Sequence, residues 1–177
     1  MRTLDFTFQI ALFGPRGAGK KRLLDTYCSS LFNSSSRLIT GVDYYAKKIE
    51  INGIGVKFQI WDMSEEERFQ FLLSQYCKGK NAGLLIFDLT EATTIDFVLE
   101  WIRFVREKAG DLPLLLIGDK TEGEGSAEVL RYFREKGRDI AKELYLIAYI
   151  EISTRTGDNV EKMFMTLADN LIKTLNR

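Results

Sequence analysis

The chain has 177 residues, 45% of them hydrophobic and 28% charged, the balance of one folded domain with a core that stands without staples rather than of a disordered tract. Its 25 basic and 25 acidic residues cancel, so no global field draws it to nucleic acid or to an anionic membrane. Histidine is absent, which removes Ser–His and Cys–His nucleophile pairs and the usual zinc sites, and two cysteines are too few for a disulfide framework.

Along the chain, Phe6 to Phe13 reads as a buried strand, followed by a glycine-rich turn and a helix from about Lys20 to Ser30. Ser34-Ser35-Ser36 marks a loop. Two alternating runs, Asp43–Ile51 and Gly55–Trp61, flank Asn52-Gly53, a strong hairpin signal. A helix follows over Glu66–Cys77, then the apolar strand Gly83–Phe87. Thr94–Lys108 has the helical period, with Phe97, Trp101, Phe104 and Val105 assigned to one face. Leu114–Ile117 reads as a short buried strand and Ala127–Ala141 as an amphipathic helix. Leu144–Ile150 reads as the last strand and Asp158–Leu175 as the last helix.

Cys28 and Cys77 fall in helical patterns with apolar neighbours and are expected to be buried or half-buried thiols of a reducing compartment, which implies a cytoplasmic location. The longest apolar runs have strand length, far below the roughly 20 residues of a membrane span. Neither a signal peptide before Phe6 nor a lipid-anchor cysteine in Leu175-Asn176-Arg177 is read.

One hairpin followed by repeated strand–helix alternation implies an α/β three-layer sandwich. Its sheet is expected to be six-stranded and mostly parallel, with one antiparallel edge strand and helices on both faces. No linker or repeat interrupts the pattern, so residues 1–177 are expected to form a single, monomeric domain. Ligands of such sheets lie at the carboxyl ends of the strands, which places the chemistry in the loops after Phe13, Trp61, Ile117 and Ile150.

Gly14-Pro15-Arg16-Gly17-Ala18-Gly19-Lys20-Lys21 follows a strand and opens a helix, the context of the P-loop. Glycines let the backbone curl so that successive N–H groups face an anion, the helix N-terminus adds partial positive charge, and Lys20 adds a full one. The eighth position departs from the pattern, because the hydroxyl that ligates magnesium is replaced by Lys21. The ammonium of Lys21 either takes over part of the metal's charge, pairs with Asp62 across the site, or points to solvent.

With these motifs the chain resembles the Ras-like small GTPases, closest to Rab, within the P-loop NTPase fold. The resemblance rests on Ile60-Trp61-Asp62 with Glu67-Arg68-Phe69, on Gly41-Val42-Asp43-Tyr44, on Gln75–Gly79 and Leu85–Thr90, and on Ser153-Thr154-Arg155-Thr156-Gly157-Asp158-Asn159-Val160. It implies a nucleotide site made by Gly14, Arg16, Gly17, Ala18, Gly19, Lys20, Lys21 and Arg22, with Arg155 at its far end. Phe32 is either the ring stacked on the base or a helix-end core residue. Asp62 corresponds to the aspartate that holds magnesium through water, and Thr40, next to Ile39, would need a register shift to join it.

Several matched positions carry altered chemistry. Glu65 stands at the glycine whose amide contacts the γ-phosphate, and like charges about 5 Å apart at an effective dielectric of about 20 cost on the order of 3 kcal/mol. Glu66 replaces the water-orienting glutamine, so no catalytic residue is assigned. The guanine motif appears as Asp119-Lys120-Thr121-Glu122, with Glu122 one methylene long for its bidentate contact. Ser153 and Thr154 are expected to offer backbone amides to the guanine carbonyl. Residues 119–122 could instead be a solvated charged loop.

The resemblance therefore implies a GTP- or GDP-binding switch in signalling or trafficking, with GDP favoured, little or no hydrolysis and magnesium in question. The alternative is a pseudo-GTPase that binds only a protein partner. An effector or regulator is expected on the switch surface near Tyr44, Tyr45, Ile60, Trp61, Phe69 and Phe71.

Overall fold

The protein, in a computed structural model, is described over residues 6–30, 42–63, 70–120 and 125–176, apart from the side chains of residues 70, 71 and 73. Strand β1 (Phe6–Phe13) leads through the glycine-rich turn into helix α1 (Lys20–Tyr27). Strands β2 (Ser29–Ser30), β3 (Val42–Ile51) and β4 (Ile54–Met63) follow, then α2 (Gln70–Cys77), β5 (Ala82–Asp88) and α3 (Thr93–Ala109). Strand β6 (Leu114–Asp119), α4 (Ala127–Glu143), β7 (Tyr149–Ile152) and α5 (Val160–Leu175) complete the order.

The sheet has seven strands in the order β2-β3-β4-β1-β5-β6-β7. Strands β4, β1, β5, β6 and β7 pair in parallel, whereas β3 pairs antiparallel with both β4 and β2. The seventh strand corrects the expected six and moves the antiparallel strand one place in from the edge. Its cause is the early end of α1. Cys28 adopts extended angles (φ −125°, ψ 166°), and Ser29 and Ser30 pair with Ala46 and Tyr45. Serine side chains favour local backbone bonds over helix interiors, so the chain leaves the helix before them.

Asn52 and Gly53 turn the β3–β4 hairpin with φ of 51° and 81°, the paired positive values of a type I′ turn. The last strand departs more from expectation. Leu144 and Leu146 donate their amides to Ile140 and Ala141 at 3.0 and 2.8 Å, and Tyr145 sits between them at φ 52°. This is a Schellman-type stop, so apolar residues that read as strand instead close α4, and β7 starts only at Tyr149.

Strand alternation divides the core between the two faces of the sheet. Phe8, Ile10, Leu12, Phe58 and Ile60 pack with α1 and α5, whereas Ala11, Phe13, Leu85 and Phe87 pack with α3 and α4. Helix α5 buries Val160, Met163, Phe164, Leu167, Ala168 and Leu171, an unbroken stripe at three- and four-residue spacing. Each of the larger side chains contributes about 1.5–3 kcal/mol on burial. On α3 the buried stripe is Ile95, Val98, Ile102 and Val105. Of the face expected there, only Val105 belongs to it; Phe97, Trp101 and Phe104 stack along its flank, with centroids 5.6 and 5.3 Å apart.

Candidate functional site

The carboxyl ends of β1, β4, β6 and β7 converge, as a doubly covered parallel sheet requires. Asp119 is the last residue of β6 and Asp62 the last but one of β4, so both lie on their strands rather than in the following loops. Between β1 and α1 the chain runs through Gly17 at φ 85° and Gly19 at φ 92°, left-handed values that side chains resist. A Cβ on Gly14 would press on Ile86 at 2.5 Å and on its carbonyl at 2.7 Å. Helix α1 starts at Lys20 with no side-chain cap and no acidic residue in its first turn, so its N-terminal amides suit an anion.

Lys20 is 7% exposed, and its Nζ lies 4.0 Å from Oδ1 of Asp62, which is 2% exposed. Lys21 behaves differently. Its side chain is 82% exposed and its Nζ pairs with Asp25 at 2.9 Å, while Asp25 also accepts a 3.0 Å bond from the Tyr45 hydroxyl. Of the arrangements expected for Lys21, neither pairing with Asp62 nor occupation of the metal's place is seen. The reason is helical geometry, since residues four apart share a face and Asp25 lies one turn on. Arg16 and Arg155 are exposed and Arg22 is half-buried near Asp119.

At the carboxyl ends of β6 and β7 the protein's own groups bond to one another. Asp119 is fully buried and accepts two bonds from Thr154, from the backbone N–H at 2.9 Å and from the hydroxyl at 2.7 Å. Burial pushes its carboxyl above the ordinary range, opposed by those two bonds, while Asp88 pushes it further up and Arg22 pulls it down. A Cβ on Gly19 would overlap Asp119 Oδ2, so only glycine lets the phosphate loop approach this carboxylate. The Tyr27 hydroxyl donates to the Thr154 carbonyl at 3.1 Å, and the Ser153 amide donates to the Asp158 carbonyl at 3.0 Å. Both amides expected to face a base carbonyl are engaged within the protein in this structure. A carboxylate at 119 can only accept, so it draws in the nearest donors.

Lys120 pairs with Glu151 at 2.9 Å with its side chain half exposed. Glu151 is in turn gripped by the guanidinium of Arg134 on α4. The Arg134 hydrogen bonds, with help from Lys120, hold its carboxyl down at about 2 despite burial. Glu151, Arg134 and Tyr27 escaped the sequence reading. Glu151 stands two residues before the matched Ser153 segment, a usable signal, but nothing in the sequence pairs it with Arg134.

On the surface beside Asp62, Tyr44 and Trp61 meet edge to face at 4.4 Å, Tyr76 lies 5.8 Å from Trp61, and the Lys80 ammonium sits 3.6 Å over the indole. The Trp61 Nε1–H donates to Gln9 Oε1 at 2.6 Å. Tyr44 and Trp61 are half-buried here, whereas Tyr45 and Ile60, expected at this surface, belong to the opposite core. Strand alternation sends neighbouring residues to opposite faces. Phe32, Ile39, Thr40, Glu65, Glu66, Phe69 and Glu122 lie outside the described residues, as does the side chain of Phe71.

For magnesium the described residues bring one carboxylate, Asp62, and Lys21 brings none of the oxygen that its position would need to supply. The described residues thus supply fewer oxygen ligands than the P-loop pattern ordinarily offers a divalent ion. For a phosphate, the curled loop, the uncapped helix start and Lys20 do fit. No helix among the described residues is long and apolar enough to cross a membrane.

The sequence model of the Ras family matches residues 9–173. The Ras-related protein Rab-10 of Diplobatis ommata is 32% identical over 173 residues, spanning 97% of this chain and 84% of that protein. Rab-8B of Homo sapiens is 32% identical over 177 residues, spanning 99% of this chain and 84% of that protein. Rab-12 of Homo sapiens is 30% identical over 175 residues, 98% of this chain and 70% of that protein.

Proposed function

The chain belongs to the Ras family, and from that premise we propose that it is an atypical Rab-like domain that binds guanine nucleotide, favours GDP and hydrolyses GTP very slowly or not at all. The observation that carries this reading is the contrast between neighbouring lysines. Lys20 is buried at the mouth of the phosphate loop against Asp62, and Lys21 is turned outward onto Asp25. The first arrangement supports an anion site, and the second leaves the magnesium position without its hydroxyl.

In this reading N–H groups of the loop between Pro15 and Lys20 bind the α- and β-phosphates, and Lys20 neutralises them. A γ-phosphate would add charge where Glu65 stands in the sequence, without a metal to offset it. Loss of transition-state charge stabilisation of this kind costs several orders of magnitude in rate. Partner binding through Tyr44, Trp61 and Tyr76 then makes the domain a switch or adaptor.

Denaturing the purified protein and separating any released nucleotide by chromatography tests the reading, with GDP expected. Magnesium-stimulated GTP cleavage at ordinary small-GTPase rates in a single turnover would defeat the claim of slow hydrolysis. The second reading, a protein-binding module without nucleotide, is favoured by the engagement of Thr154 with Asp119. Release of no nucleotide, with no heat on titrating GDP, would select it.

A further inference from the structure

The Thr154 N–H and hydroxyl both point at the buried Asp119 carboxylate, its carbonyl accepts from Tyr27, and the Ser153 amide is bound to Asp158. From this we infer that Asp119 and Thr154 form a clasp that blinds the site to the 6-substituent of a purine, so that a nucleoside diphosphate is held without a hydrogen bond from this loop to the base carbonyl. The inference rests on the nucleotide-binding reading proposed above.

The clasp is hard to open for a ligand. Hydrogen bonds to a carboxylate are about twice as strong as those between neutral groups. To turn toward a base carbonyl, the Thr154 amide would exchange a charge-assisted bond for a neutral one. It would also leave a fully buried carboxylate oxygen with one donor fewer. The loop is held from a second side by Tyr27, whose hydroxyl also crowds Gly157, at φ 87°, to 3.2 Å of a built Cβ. Gly19 lets the phosphate loop close over Asp119, so the clasp is packed on that side as well. The phosphate loop takes no part in these bonds, so phosphate binding and blindness to the base carbonyl are compatible.

The test is calorimetric titration of nucleotide-stripped protein with GDP and with 6-thioguanosine diphosphate. The thio compound keeps the hydrogens at N1 and N2 and replaces only the 6-oxygen with a poor acceptor. Wild-type affinities within about threefold of each other are expected. A loss of tenfold or more with the sulfur compound overturns the inference while leaving nucleotide binding established. Binding of neither compound removes the nucleotide reading and the inference with it.

The double variant D119N/T154A replaces the carboxylate by a neutral amide and deletes the hydroxyl. It should become sensitive to the sulfur substitution by about tenfold, and a variant as indifferent as wild type would show that the clasp is not the determinant. Should the variant not fold, the wild-type amide resonance of Thr154 decides. It should stay within its linewidth on saturation with GDP, and a large shift, as on bonding to a new acceptor, overturns the proposal.

Discussion

Arg134 and Glu151 meet as fork and carboxylate across α4 and β7, with Nε donating to Oε2 at 2.5 Å and Nη2 to Oε1 at 2.7 Å. Bidentate geometry of this kind adds directional specificity to charge attraction. Because Lys120 closes on the same carboxylate at 2.9 Å, the pair ties the outer helix to the end of β6 that carries Asp119. The charged loop expected at 119–122 is therefore braced at its first two residues.

Acid should loosen that brace. Glu151 titrates at about 2 in the fold against 4.5 ordinarily, so between those values the unfolded chain binds more protons. Its contribution is present above about pH 4.5 and is lost as pH falls toward 2. Urea unfolding as a function of pH should show on the order of 2–3 kcal/mol draining through that window, and Glu151→Gln should remove this slope. Arg134→Met should raise the Glu151 titration followed by NMR, and an unmoved midpoint would exclude the pairing as its cause.

A methyl group at Gly14 should be costly. Its Cβ meets the Ile86 side chain and carbonyl at 2.5 and 2.7 Å, and the backbone atom cannot swing away. Gly14→Ala is expected to destabilise by about 1–3 kcal/mol, the ordinary penalty of overpacking, in chemical denaturation. Gly53→Ala meets no atom within 4 Å but must hold φ at 81°, so it should lose only about 1 kcal/mol. Equal losses would contradict the assigned contacts.

Replacing Lys21 should leave the fold intact. Its pairing with Asp25 is a surface contact between residues four apart, so Lys21→Ser is expected to cost about 0.2–0.5 kcal/mol. The new hydroxyl should also make GDP affinity depend on magnesium, measured by titration with and without the ion. Affinity unchanged by magnesium in that variant would show that Asp62 and the new serine do not suffice.

Both thiols should be slow to alkylate. Burial pushes Cys28 up to about 12 and Cys77 up to about 11, leaving little thiolate near neutrality. Mass spectrometry after iodoacetamide treatment at pH 7.5 should find them modified only on unfolding. Rapid labelling of Cys28 in the native protein would contradict its half-buried placement after α1.

Local chemistry with a short reach was legible in the sequence. Asn52-Gly53 announced its turn, the run from Asp158 to Leu175 its last helix, and the glycines before Lys20 the curled chain that enters α1. Where two local signals competed, the reading slipped. Leu144 to Leu146 are apolar enough for a strand, yet they cap a helix, and Ser29-Ser30 pair with β3 only because its edge is at hand. The site was legible as a set of positions but not as a set of bonds. Asp119 and Thr154 are 35 residues apart, Arg134 and Glu151 are 17 apart, and such partners are chosen by the fold rather than by neighbours in sequence.

The Lys80 ammonium resting on Trp61 gives the protein a built-in optical gauge. Of its two tryptophans, Trp101 is wedged 4.9 Å from Phe13 and 5.3 Å from Phe104, whereas Trp61 shares its indole with the Lys80 cation and a glutamine. Anything that settles on that ring must displace or cover the ammonium and so alter the indole's emission. Occupancy of this corner can then be followed by colour and brightness alone, without attaching a dye.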